Sequence, residues 1–486
     1  MTPPSMVTTS LSALKGRRIL FMNWRCLDHP RAGGAETFVF EVARRFVRAG
    51  AGVTVFAARP RSLPRDSTVD GIRLVRRGEE FSVYAHGAMY LAQHRGDFDV
   101  IVDCQNGIPF YAALFAGSRT RVVCVIHHVH QQQFNQRFGR PMSSVGRFLE
   151  GPASRAVYGT RPVAVVSPST RQMVRRQLGL RGPLFVVPNG SYPTSSHVSC
   201  TGPRAQAPTI ASVGRLVPHK RTELLIEAVP SLLAAWPDLR VEIVGDGPER
   251  GRLEALIRRL ALEETVTLRG YVSRDRLNAV LRSAWISVNA SDGEGWGLSV
   301  IEANALGRPV VARRVPGLRD SIVDGVTGWL YDGHGDLAVA IDRGLRVTAH
   351  QDTAAALAER CRSWAAQFSW DSTAGRLAAV IAEELLDHPD RRTHQGHRSD
   401  LACMVEFEVR DPEHFAERAA HVLRPTDMWV IDGLRVRLLL YGCDEGQAAH
   451  IVARLGVTDA VRARVATGHD LLVPFASVAR PAGVSG

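Results

Sequence analysis

Cysteine is scarce in this sequence and follows no pattern that would build a covalent or metal framework. The seven cysteines are scattered at positions 26, 104, 124, 200, 361, 403 and 443. No two of them form a Cys-x-x-Cys pair, and their odd number does not suit a set of paired disulfides. The pattern argues against a disulfide-stapled scaffold and against a cysteine-based zinc site, and it fits a reducing cytoplasm.

Long apolar runs and a secretory leader are also missing. No stretch reaches the roughly 18 consecutive apolar residues that indicate a membrane-spanning helix. The first residues, MTPPSMVTTSLSALKGRRIL, lack the charged start and the apolar centre of a signal peptide. We expect residues 1–16 to form a floppy leader, and we expect the protein to be cytoplasmic.

Motifs for nucleic-acid binding are absent as well, although the chain is strongly basic. The chain has 60 lysine and arginine residues and 48 aspartate and glutamate residues, which gives a formal net charge of +12. A basic surface favours anionic partners such as nucleotides, phosphorylated substrates or anionic lipid. No zinc-finger, RRM or homeodomain pattern is present, so we predict no nucleic-acid partner. A genomic preference for arginine is the alternative explanation of the charge.

What is present is a repeated alternation of short apolar strands and helical segments. One such stretch begins with a buried strand at residues 18–23, and a second begins with a strand at residues 209–213. This alternation indicates parallel α/β sheets. We predict a Rossmann-like domain over residues 17–191 and another over residues 209–370, both doubly wound.

Segments rich in proline, glycine and small polar residues mark the predicted boundaries. Residues 192–208 read as an interdomain linker and residues 388–400 as a second linker. An amphipathic helix over residues 371–387 is expected to pack back on the N-terminal domain. Residues 401–486 then form a small α+β domain.

The order of strands and helices in the last domain predicts a ferredoxin-like unit. Asp432-Gly433 between two apolar runs is a strong hairpin signal. The segment faintly resembles a GGDEF-type diguanylate cyclase domain, but the hairpin reads IDGLR where the catalytic motif would stand. We therefore expect no cyclase activity. A regulatory or oligomerisation role is one hypothesis, and an inert appendage is the other.

The most informative stretch is DGEGWGLSVIEANALGRPV, which runs from Asp292 to Val310. Glu294 and Glu302 flank a glycine-rich loop and a helix start. Such a loop presents backbone N–H groups at a helix N-terminus, where an anion is stabilised. Glu302 would lie on the side of the loop's mouth, where its carboxylate can accept hydrogen bonds from both ribose hydroxyls. The alternative, a turn with solvated glutamates, would leave Trp296 and an apolar helix on a costly surface loop.

A second signal is the basic loop SVGRLVPHKR, residues 212–221, between a strand and a helix. Arg215 and Lys220 would clamp a diphosphate, and Gly214 would allow close backbone approach. Taken alone, a basic loop of this kind is more often simply solvated. The glutamate-containing loop in the same half of the chain favours the anion-binding interpretation.

Together these segments resemble the donor site of family 4 glycosyltransferases, which have the GT-B fold. That family carries a Glu-x7-Glu motif, matched here by Glu294 and Glu302, and an arginine and a lysine after the first strand of its C-terminal domain. Further matches are VPNG, VGDGP, GYV and the closing FSWDSTAGRL. The resemblance covers residues 17–387. It implies two Rossmann-like domains that face a cleft holding a nucleotide-sugar donor.

The resemblance also implies a role for each matched residue. Arg215 and Lys220 would bind the donor diphosphate and Glu302 the ribose. Glu294 would contact the transferred sugar and help to stabilise its charge. The positions expected to meet the phosphates, the sugar or the base are Gly295, Gly297, Leu298, Ser299 and Val272.

The N-terminal half would supply two further pieces. Gly33 and Gly34 match the family's GGAE motif and would bring the acceptor and the leaving phosphate to a helix N-terminus. His127 follows a strand at the point where the family places a histidine beside the reacting sugar. The aspartate usual after it is replaced by His128, which remains the alternative. A metal on His127, His128 and His130 is disfavoured, because alternate residues of an extended segment point to opposite sides.

The mechanism implied by the resemblance is sugar transfer with retention, without a metal or other cofactor. A hexose would pass from the nucleoside diphosphate to a lipid, glycan or small-molecule acceptor. Other enzyme classes fit less well: no pyridoxal lysine suggests a phosphorylase, Glu-x7-Glu favours transfer over epimerisation, and no GxGxxG follows the first strand as in an oxidoreductase. A non-catalytic nucleotide-sugar sensor or scaffold signalling through the last domain is the alternative.

Residues 131–161 form a basic stretch that carries aromatic side chains. Phe134, Phe138 and Phe148 alternate with five arginines, and Glu150 is its only acid. Such a stretch can lie on an anionic membrane surface, and acceptors of related enzymes are often lipids. We predict peripheral contact with the inner face of a membrane. The alternative is a basic helix packed within the N-terminal domain.

Overall fold

The computed structural model describes residues 10–131, 133–134, 139–192, 204–386, 401–457 and 461–475. These residues form two compact units. The first unit combines the chain up to Gly190 with the chain from Trp370 onward, and the second unit spans Ser191–Ser369. The linker predicted at residues 388–400 lies outside the described residues.

The first unit contains an eight-stranded sheet in the order β3-β4-β2-β1-β5-β6-β7-β8. Its strands are β1 (Arg18–Met22), β2 (Gly52–Ala57), β3 (Asp66–Val69), β4 (Ile72–Arg76), β5 (Val100–Gln105), β6 (Arg121–Ile126), β7 (Val163–Val165) and β8 (Leu184–Val186). All neighbouring strands pair in parallel except β3 and β4. The central strands β5 and β6 are almost wholly buried, as their continuous apolar runs predict.

The antiparallel hairpin of β3 and β4 is absent from the sequence prediction. Its turn is Asp70-Gly71, with φ angles of 51° and 78°. Two successive residues in the left-handed region are what a type I′ turn between antiparallel strands requires. Strand β3 is mostly exposed, so it has no apolar pattern, and the Asp-Gly pair was the only local signal for the hairpin.

Helices cover the sheet of the first unit. They are α1 (Gly34–Arg48), α2 (Val83–Gln93), α3 (Ala112–Phe115), α4 (Arg140–Phe148), α5 (Ser154–Tyr158) and α6 (Pro168–Met173), with π-helical turns at Leu149–Ala153 and Val174–Leu178. The floppy leader predicted over residues 1–16 extends too far along the chain, because its last residues are packed against the unit. Leu14 is fully buried, and its N–H donates to the carbonyl of Leu11 over 3.1 Å. Burial of this side chain makes residues 10–16 part of the packed unit, and residues 1–9 lie outside the described residues.

The second unit is built on a six-stranded parallel sheet in the order β11-β10-β9-β12-β13-β14. Its strands are β9 (Thr209–Val213), β10 (Arg240–Val244), β11 (Val266–Gly270), β12 (Ile286–Asn289), β13 (Val310–Arg313) and β14 (Gly328–Tyr331). Its helices are α7 (Thr222–Leu233), α8 (Arg250–Arg259), α9 (Arg274–Ser283), α10 (Leu298–Ala305), α11 (Leu318–Ser321), α12 (Leu337–Ala349) and α13 (Gln351–Ala365). Residues 204–208, predicted as linker, pack on this unit, where Arg204 stacks 4.0 Å from the ring centroid of Trp285.

Helix α7 continues through Pro230, although the sequence predicts a break there. A proline inside a helix costs about 3 kcal/mol, because it removes one hydrogen bond and crowds the preceding turn. Leu225, Ile226 and Val229 are all buried on this helix. At about 1.5–3 kcal/mol for each fully buried side chain, their burial outweighs the cost of the proline.

The remainder of the first unit is the last helix of the Rossmann-like part and a small α+β domain. These elements are α14 (Trp370–Leu385), β15 (Ala402–Glu408), α15 (Pro412–Val422), β16 (Met428–Asp432), β17 (Arg435–Tyr441), α16 (Glu445–Arg454), β18 (Arg462–Val465) and α17 (Gly468–Leu472). The four strands form an antiparallel sheet in the order β16-β17-β15-β18. This βαββαβ arrangement is typical of a ferredoxin-like unit.

Helix α14 joins three parts of the first unit. Asp371 accepts a hydrogen bond from Arg45 of α1 over 2.6 Å, and Thr373 donates to the carbonyl of Pro188 over 2.7 Å. The buried Arg376 donates to the carbonyls of Leu471 and Leu472 over 2.9 and 2.7 Å. The small domain is therefore docked on the Rossmann-like part through this helix.

Candidate functional site

The carboxyl ends of the parallel strands in the second unit collect most of the predicted site residues. Strand β9 ends at Val213, directly before Gly214 and Arg215, and β12 ends at Asn289, directly before the loop that carries Glu294. Ligands of open α/β sheets bind outside this edge, where the strand order reverses. Strand β9 has β10 on one side and β12 on the other, so these loops flank such a reversal.

Lys220 and Glu294, which lie far apart in sequence, form a direct ion pair. The Ser291 hydroxyl donates to the same carboxylate over 3.0 Å, and Asn289 accepts hydrogen bonds from the N–H and the hydroxyl of Ser291. Burial raises the pKa of Glu294, but the Lys220 ammonium and the Ser291 hydroxyl lower it by more, so the pKa lies below its usual value. The pair therefore holds a fixed negative charge beside a fixed positive one.

Glycines bring the backbone of neighbouring loops close to this pair. A Cβ atom on Gly245 would lie 1.9 Å from the carbonyl oxygen of Gly214, and one on Gly317 would lie 2.2 Å from that of Glu294. The aliphatic part of Lys220 passes close to Gly214, since a Cβ there would lie 3.8 Å from the lysine Cε. Only glycine fits at separations of 1.9 and 2.2 Å, so backbone packing at Gly245 and Gly317 sets the neighbouring loops that carry Arg215, which is exposed, and Glu294.

The glycine-rich loop leads directly into α10. Gly297 precedes the helix with a φ of 93°, a left-handed conformation that glycine adopts without strain. Trp296 is 2% exposed, and its ring packs edge-on against Phe368 with 4.9 Å between centroids. The buried tryptophan anchors the loop, which leaves the N–H groups of Leu298 and Ser299 at the start of a helix, where a phosphate is stabilised.

Glu302 lies on α10 and is engaged by a residue that the sequence analysis did not single out. Its carboxylate accepts a hydrogen bond from the Arg274 guanidinium over 2.5 Å. That guanidinium also stacks 4.7 Å from the ring centroid of Tyr192. Val272 is only partly buried and packs against the apolar core of this unit, while the neighbouring Tyr271 is 91% exposed.

Asp292, at the start of the loop, is a further residue that sequence reasoning passed over. It accepts hydrogen bonds from Arg221 over 3.2 Å and from Arg313 over 2.5 Å. Its backbone N–H donates to the carbonyl of His219. These contacts join the glutamate-containing loop to the basic loop. A single charged residue in a loop carries no local periodicity, so only the fold identifies it.

The first unit holds the other predicted residues, at the carboxyl ends of β1 and β6. Gly33 and Gly34 begin helix α1, and the Glu36 carboxylate accepts a hydrogen bond from the Gly33 N–H over 2.7 Å. Arg25 holds the other carboxylate oxygen over 3.0 Å. Glu36, in the first turn of α1, thus satisfies the N–H group of the residue before the helix, as the glutamate of a capping box does.

His127 follows β6 and is 8% exposed. Its Nε2 atom is buried and has no hydrogen-bond partner among the described residues, while its ring meets Phe38 edge-on at 4.8 Å. Burial, and then the charge of His130, lowers the pKa of His127 to about 3. The imidazole is therefore neutral at physiological pH. His128, by contrast, lies 2.9 Å from the side-chain nitrogen of Gln133.

Metal-binding clusters and membrane-spanning helices are absent from the part of the chain that the structure describes. No group of three or more histidine, cysteine, aspartate or glutamate side chains there is arranged to hold a metal ion. No helix there combines the length and the apolar character that crossing a membrane requires.

Two family models match the chain, one in each Rossmann-like domain. The model described as Glycosyltransferase Family 4 matches residues 32–192, a range that includes His127. The model described as Glycosyl transferases group 1 matches residues 201–364, a range that includes Lys220 and Glu294. The GGDEF-like resemblance gains no support from either model, since both end before residue 401.

Curated relatives carry the name of one enzyme activity. D-inositol 3-phosphate glycosyltransferase 2 of Catenulispora acidiphila is 37% identical over 193 residues, which cover 37% of this chain and 44% of that relative. D-inositol 3-phosphate glycosyltransferase of Streptomyces avermitilis is 26% identical over 402 residues, which cover 75% of this chain and 86% of the relative. The more identical match thus spans less than half of the relative's own length.

Solved structures share the fold at low identity. Sucrose-phosphate synthase from Thermosynechococcus elongatus is 21% identical, with a TM-score of 0.63 and coverage of 75% of this chain and 98% of that chain. HepE from Anabaena, solved in complex with UDP-glucose, is 18% identical over 75% of this chain and 99% of that chain, with a TM-score of 0.57. At these identities the likeness concerns the fold alone.

Proposed function

We propose that this chain, which has the GT-B fold and carries the two domains of a family 4-type glycosyltransferase, transfers a hexose from a nucleoside diphosphate sugar with retention of configuration. One observation carries the proposal. The Lys220–Glu294 pair lies beside Gly214 and the start of α10, at the carboxyl edge of the parallel sheet. This edge combines a cation, a helix N-terminus and a carboxylate, which are the groups needed to bind a diphosphate and the sugar attached to it.

Positive groups at this edge of the sheet would neutralise the charge of the donor diphosphate. Lys220 and the exposed Arg215 supply the cations, and the N–H groups at the start of α10 supply further donors. When a diphosphate arrives, the Lys220 ammonium can share its donors between Glu294 and a phosphate oxygen, because an ammonium carries three of them. Glu302 accepts hydrogen bonds from the ribose hydroxyls, and the segment at Val272 contacts the base. The nucleotide is UDP in the complex of HepE, and UDP is our first choice here.

The chemical step breaks one bond and forms another at the anomeric carbon of the sugar. The bond from that carbon to the diphosphate oxygen breaks, and the acceptor hydroxyl oxygen bonds to the carbon from the same face. The proton of the acceptor hydroxyl passes to the departing diphosphate, so no enzyme base is needed. Lys220 and Arg215 stabilise the negative charge that develops on the diphosphate. Glu294 stabilises the positive charge that develops on the sugar. The step needs no metal.

His127 would serve the sugar as a neutral hydrogen-bonding group. Its pKa is lowered to about 3 by burial and by His130, so the ring is uncharged and has one nitrogen that accepts and one that donates. The buried Nε2 without a partner in the described chain is available to a sugar hydroxyl. We propose His127 rather than His128 for this role, because His128 already has Gln133 as a neighbour.

The acceptor is proposed only as a class. The curated relatives act, by their names, on D-inositol 3-phosphate, so a phosphorylated polyol is the first acceptor to test. A lipid-linked acceptor is supported by α4, on which Met142, Val145 and Phe148 are exposed beside Arg140 and Arg147. Apolar side chains next to cations are typical of helices that lie on an anionic membrane surface. Co-sedimentation with anionic but not neutral vesicles tests this contact.

The proposal is tested by a thermal-shift screen with UDP, GDP, ADP and their sugars. We expect one nucleotide to stabilise the wild-type protein and to give a clearly smaller shift in Glu302→Ala at the same concentration. The matched control is Glu263→Ala, an exposed glutamate of the same unit, which should keep the shift. An equal shift in the wild type and in Glu302→Ala, or no shift with any nucleotide, contradicts the donor site.

A second measurement separates the enzyme from a nucleotide-sugar sensor. Release of the nucleoside diphosphate from the preferred donor is followed with and without inositol phosphate or lipid acceptors. Turnover that falls in Lys220→Ala supports the transferase. Tight binding with no release of nucleotide under any condition would favour the sensor.

A further inference from the structure

The π-helical turn between α4 and α5 places a carboxylate in the interior of the first unit. The turn spans Leu149–Ala153 and follows α4 without a break. The side chain of Glu150 is 0% exposed, and no step of the proposed reaction uses it. Turns of this kind are frequent at functional sites, and a buried carboxylate is costly unless its partners compensate the lost hydration. The partners of Glu150 therefore indicate what its charge is used for.

Both oxygens of this carboxylate accept hydrogen bonds from the chain that follows β6. Oε1 accepts from the backbone N–H of His130 over 2.6 Å, and Oε2 accepts from the side-chain amide of Gln131 over 2.8 Å. The Nδ1 atom of His130 lies 3.4 Å from Oε1. Hydrogen bonds to an ionised acceptor are roughly twice as strong as those between neutral groups. Glu150 therefore fixes the backbone and the side chains of two consecutive residues.

The turn that carries Glu150 is itself fixed to the rest of the unit. The Tyr111 hydroxyl, in the chain between β5 and β6, donates to the carbonyl of Leu149 over 2.7 Å. The side-chain amide of Gln131 donates to the carbonyl of Arg147, in the last turn of α4, over 3.2 Å. The carboxylate is thus held in place before it holds the segment after β6, as a rigid support requires.

The supported segment carries the histidine that we propose for the sugar. His127 directly follows β6, and only two residues separate it from His130. Val129, between them, is 3% exposed, so the segment is packed along its length. It lies at the carboxyl edge of a parallel sheet, where ligands of such folds bind. A displacement of the His130 backbone would therefore also move His127, and a misplacement of about 1 Å at a reacting group can cost about 10²-fold in rate.

We propose that Glu150 is a positioning residue, which holds the segment after β6 through His130 and Gln131 so that His127 meets the sugar in one fixed orientation. This inference rests on the proposed function, because it assigns His127 to the sugar. A carboxylate suits the task because both its oxygens accept hydrogen bonds, whereas an amide of the same shape has one acceptor and one donor group. In Glu150→Gln, one of the two donors would face the new NH₂ group.

The first measurement asks whether Glu150 holds the segment. Amide hydrogen exchange of the full chain is followed in short peptides that contain residues 127–131. We expect exchange at the His130 N–H to be about tenfold faster in Glu150→Gln than in the wild type, because local opening becomes easier. The matched control is Glu41→Gln, which alters a buried glutamate that accepts hydrogen bonds from Arg44 and Arg45 instead. Unchanged exchange in Glu150→Gln, or an equal increase in Glu41→Gln, overturns the proposal.

The second measurement asks whether the reaction depends on that support. We expect Glu150→Gln to lower kcat by about 10- to 100-fold and to leave donor affinity almost unchanged, because the proposed diphosphate-binding residues lie in the second unit. Adding Gln131→Glu to Glu150→Gln restores one carboxylate and one amide with their places exchanged, and it should recover part of kcat. A wild-type kcat in Glu150→Gln overturns the proposal, as does an equal loss in Glu41→Gln.

A milder variant keeps the test decisive if Glu150→Gln does not fold. Gln131→Met, at a half-buried position, removes one of the two donors and keeps the length of the side chain, so it should change exchange and kcat in the same directions by smaller factors. Unchanged exchange and kcat in Gln131→Met would then overturn the proposal. A wild-type protein that transfers no sugar contradicts the proposed function, and the exchange rates then decide by themselves whether Glu150 holds the segment.

Discussion

Two basic regions of this molecule balance their charges in opposite ways. At the strand ends of the second unit, cations have carboxylate partners: Lys220 pairs with Glu294, Arg274 with Glu302, and Arg221 with Asp292. Around a cavity of the first unit, between α6, α14 and the small domain, the charged lining residues are four arginines and one glutamate, namely Arg171, Arg175, Arg181, Arg424 and Glu383. Paired charges are preorganised and can exchange a protein partner for a substrate, whereas an arginine held by backbone carbonyls, as Arg175 is by those of Leu180 and Gly182, ties two segments of the chain together.

We expect the paired region of the second unit to support chemistry, and we expect the arginines of the first unit to support packing between its segments. In the paired region the distances between charges are fixed before the substrate arrives, so little reorganisation is needed when charge develops. The predictions below either break this distinction or make it sharper, and they run from the largest expected effect to the smallest.

Removal of the ammonium from the paired region should have the largest effect. Lys220→Ala is expected to lower the rate of sugar transfer by about 10²- to 10³-fold, the usual cost of losing one preorganised group that stabilises a developing anion. The sequence holds only one other lysine, Lys15, which is exposed and serves as the matched control. Equal rates for Lys220→Ala and Lys15→Ala would contradict the assignment.

The scarcity of lysine sharpens this prediction. In a chain whose sixty basic residues include only two lysines, one of the two stands against Glu294. An ammonium is a compact point charge, whereas a guanidinium is a planar fork, so Lys220→Arg should not restore the rate. We expect Lys220→Arg to remain well below the wild type when nucleotide release is measured at saturating donor. A wild-type rate would show that any cation suffices.

A methyl group at Gly317 should disrupt the paired region through its backbone. The residue has a φ of 81°, and a Cβ atom would lie 2.2 Å from the Glu294 carbonyl oxygen. We expect Gly317→Ala to lower the free energy of unfolding by about 3 kcal/mol, through strain and steric overlap together. Chemical denaturation measures the effect. Gly251→Ala, on the surface of α8 with no atom within 4 Å of its Cβ position, is the control and should not destabilise the protein.

Asp427, which follows Thr426 of the cavity wall in the first unit, should make stability depend on pH. Burial raises its pKa from the ordinary 3.8 to about 6, against the opposing hydrogen bond and charge of Arg424. The folded state therefore keeps this proton to a higher pH than the unfolded chain, and its contribution to the free energy of unfolding falls as the pH rises from about 4 to about 6. Asp427→Asn should remove this decline, which we expect to reach about 2 kcal/mol.

The measurement for Asp427 is a series of urea titrations from acid to neutral pH. The difference in unfolding free energy between Asp427→Asn and the wild type should change in favour of the variant as the pH rises through the window. A difference that is constant with pH would show that the Asp427 carboxyl group titrates normally in the folded protein.

The smallest expected effect is the difference in donor affinity between variants of the two partners in the Arg274–Glu302 ion pair. Glu302→Ala should weaken donor binding by about tenfold, because the carboxylate contacts the ribose directly. Arg274→Ala should weaken it by only about two- to threefold, because a half-exposed pair contributes little. Donor affinity by titration distinguishes the two. A larger loss for Arg274→Ala than for Glu302→Ala would make the arginine, rather than the glutamate, the residue that binds the nucleotide.

Much of the fold is readable from local patterns, and the exceptions have physical causes. Strands β5 and β6 are largely apolar because both their faces are covered, and the prediction located them correctly. The exposed strand β3 has no such run, and α7 passes through Pro230 because tertiary burial outweighs the local cost. Leu14 is buried although the residues around it resemble a floppy leader, since a single apolar side chain leaves no periodic signal.

For the candidate site, the sequence supplied the loops, and the structure supplied the partners within them. The prediction that the two Rossmann-like domains face a shared cleft stays a prediction, as do the roles of Gly33, His127 and the donor residues. Arg274, Ser291 and Asp292 escaped the sequence analysis. Each is an ordinary polar residue in a loop or at a helix end, and only contact with Glu302, Glu294 or the basic loop distinguishes it.

By itself the sequence determined the alternation of parallel strands and helices, the Glu-x7-Glu loop and the basic loop, because these depend on residues close together in the chain. Only the tertiary structure decided that Lys220 meets Glu294, that α14 docks the small domain, and that arginines from two domains surround one cavity. Local periodicity does not specify which distant side chains meet. That outcome depends on how whole elements pack, and packing is set by the burial of apolar faces rather than by the charged residues that become neighbours.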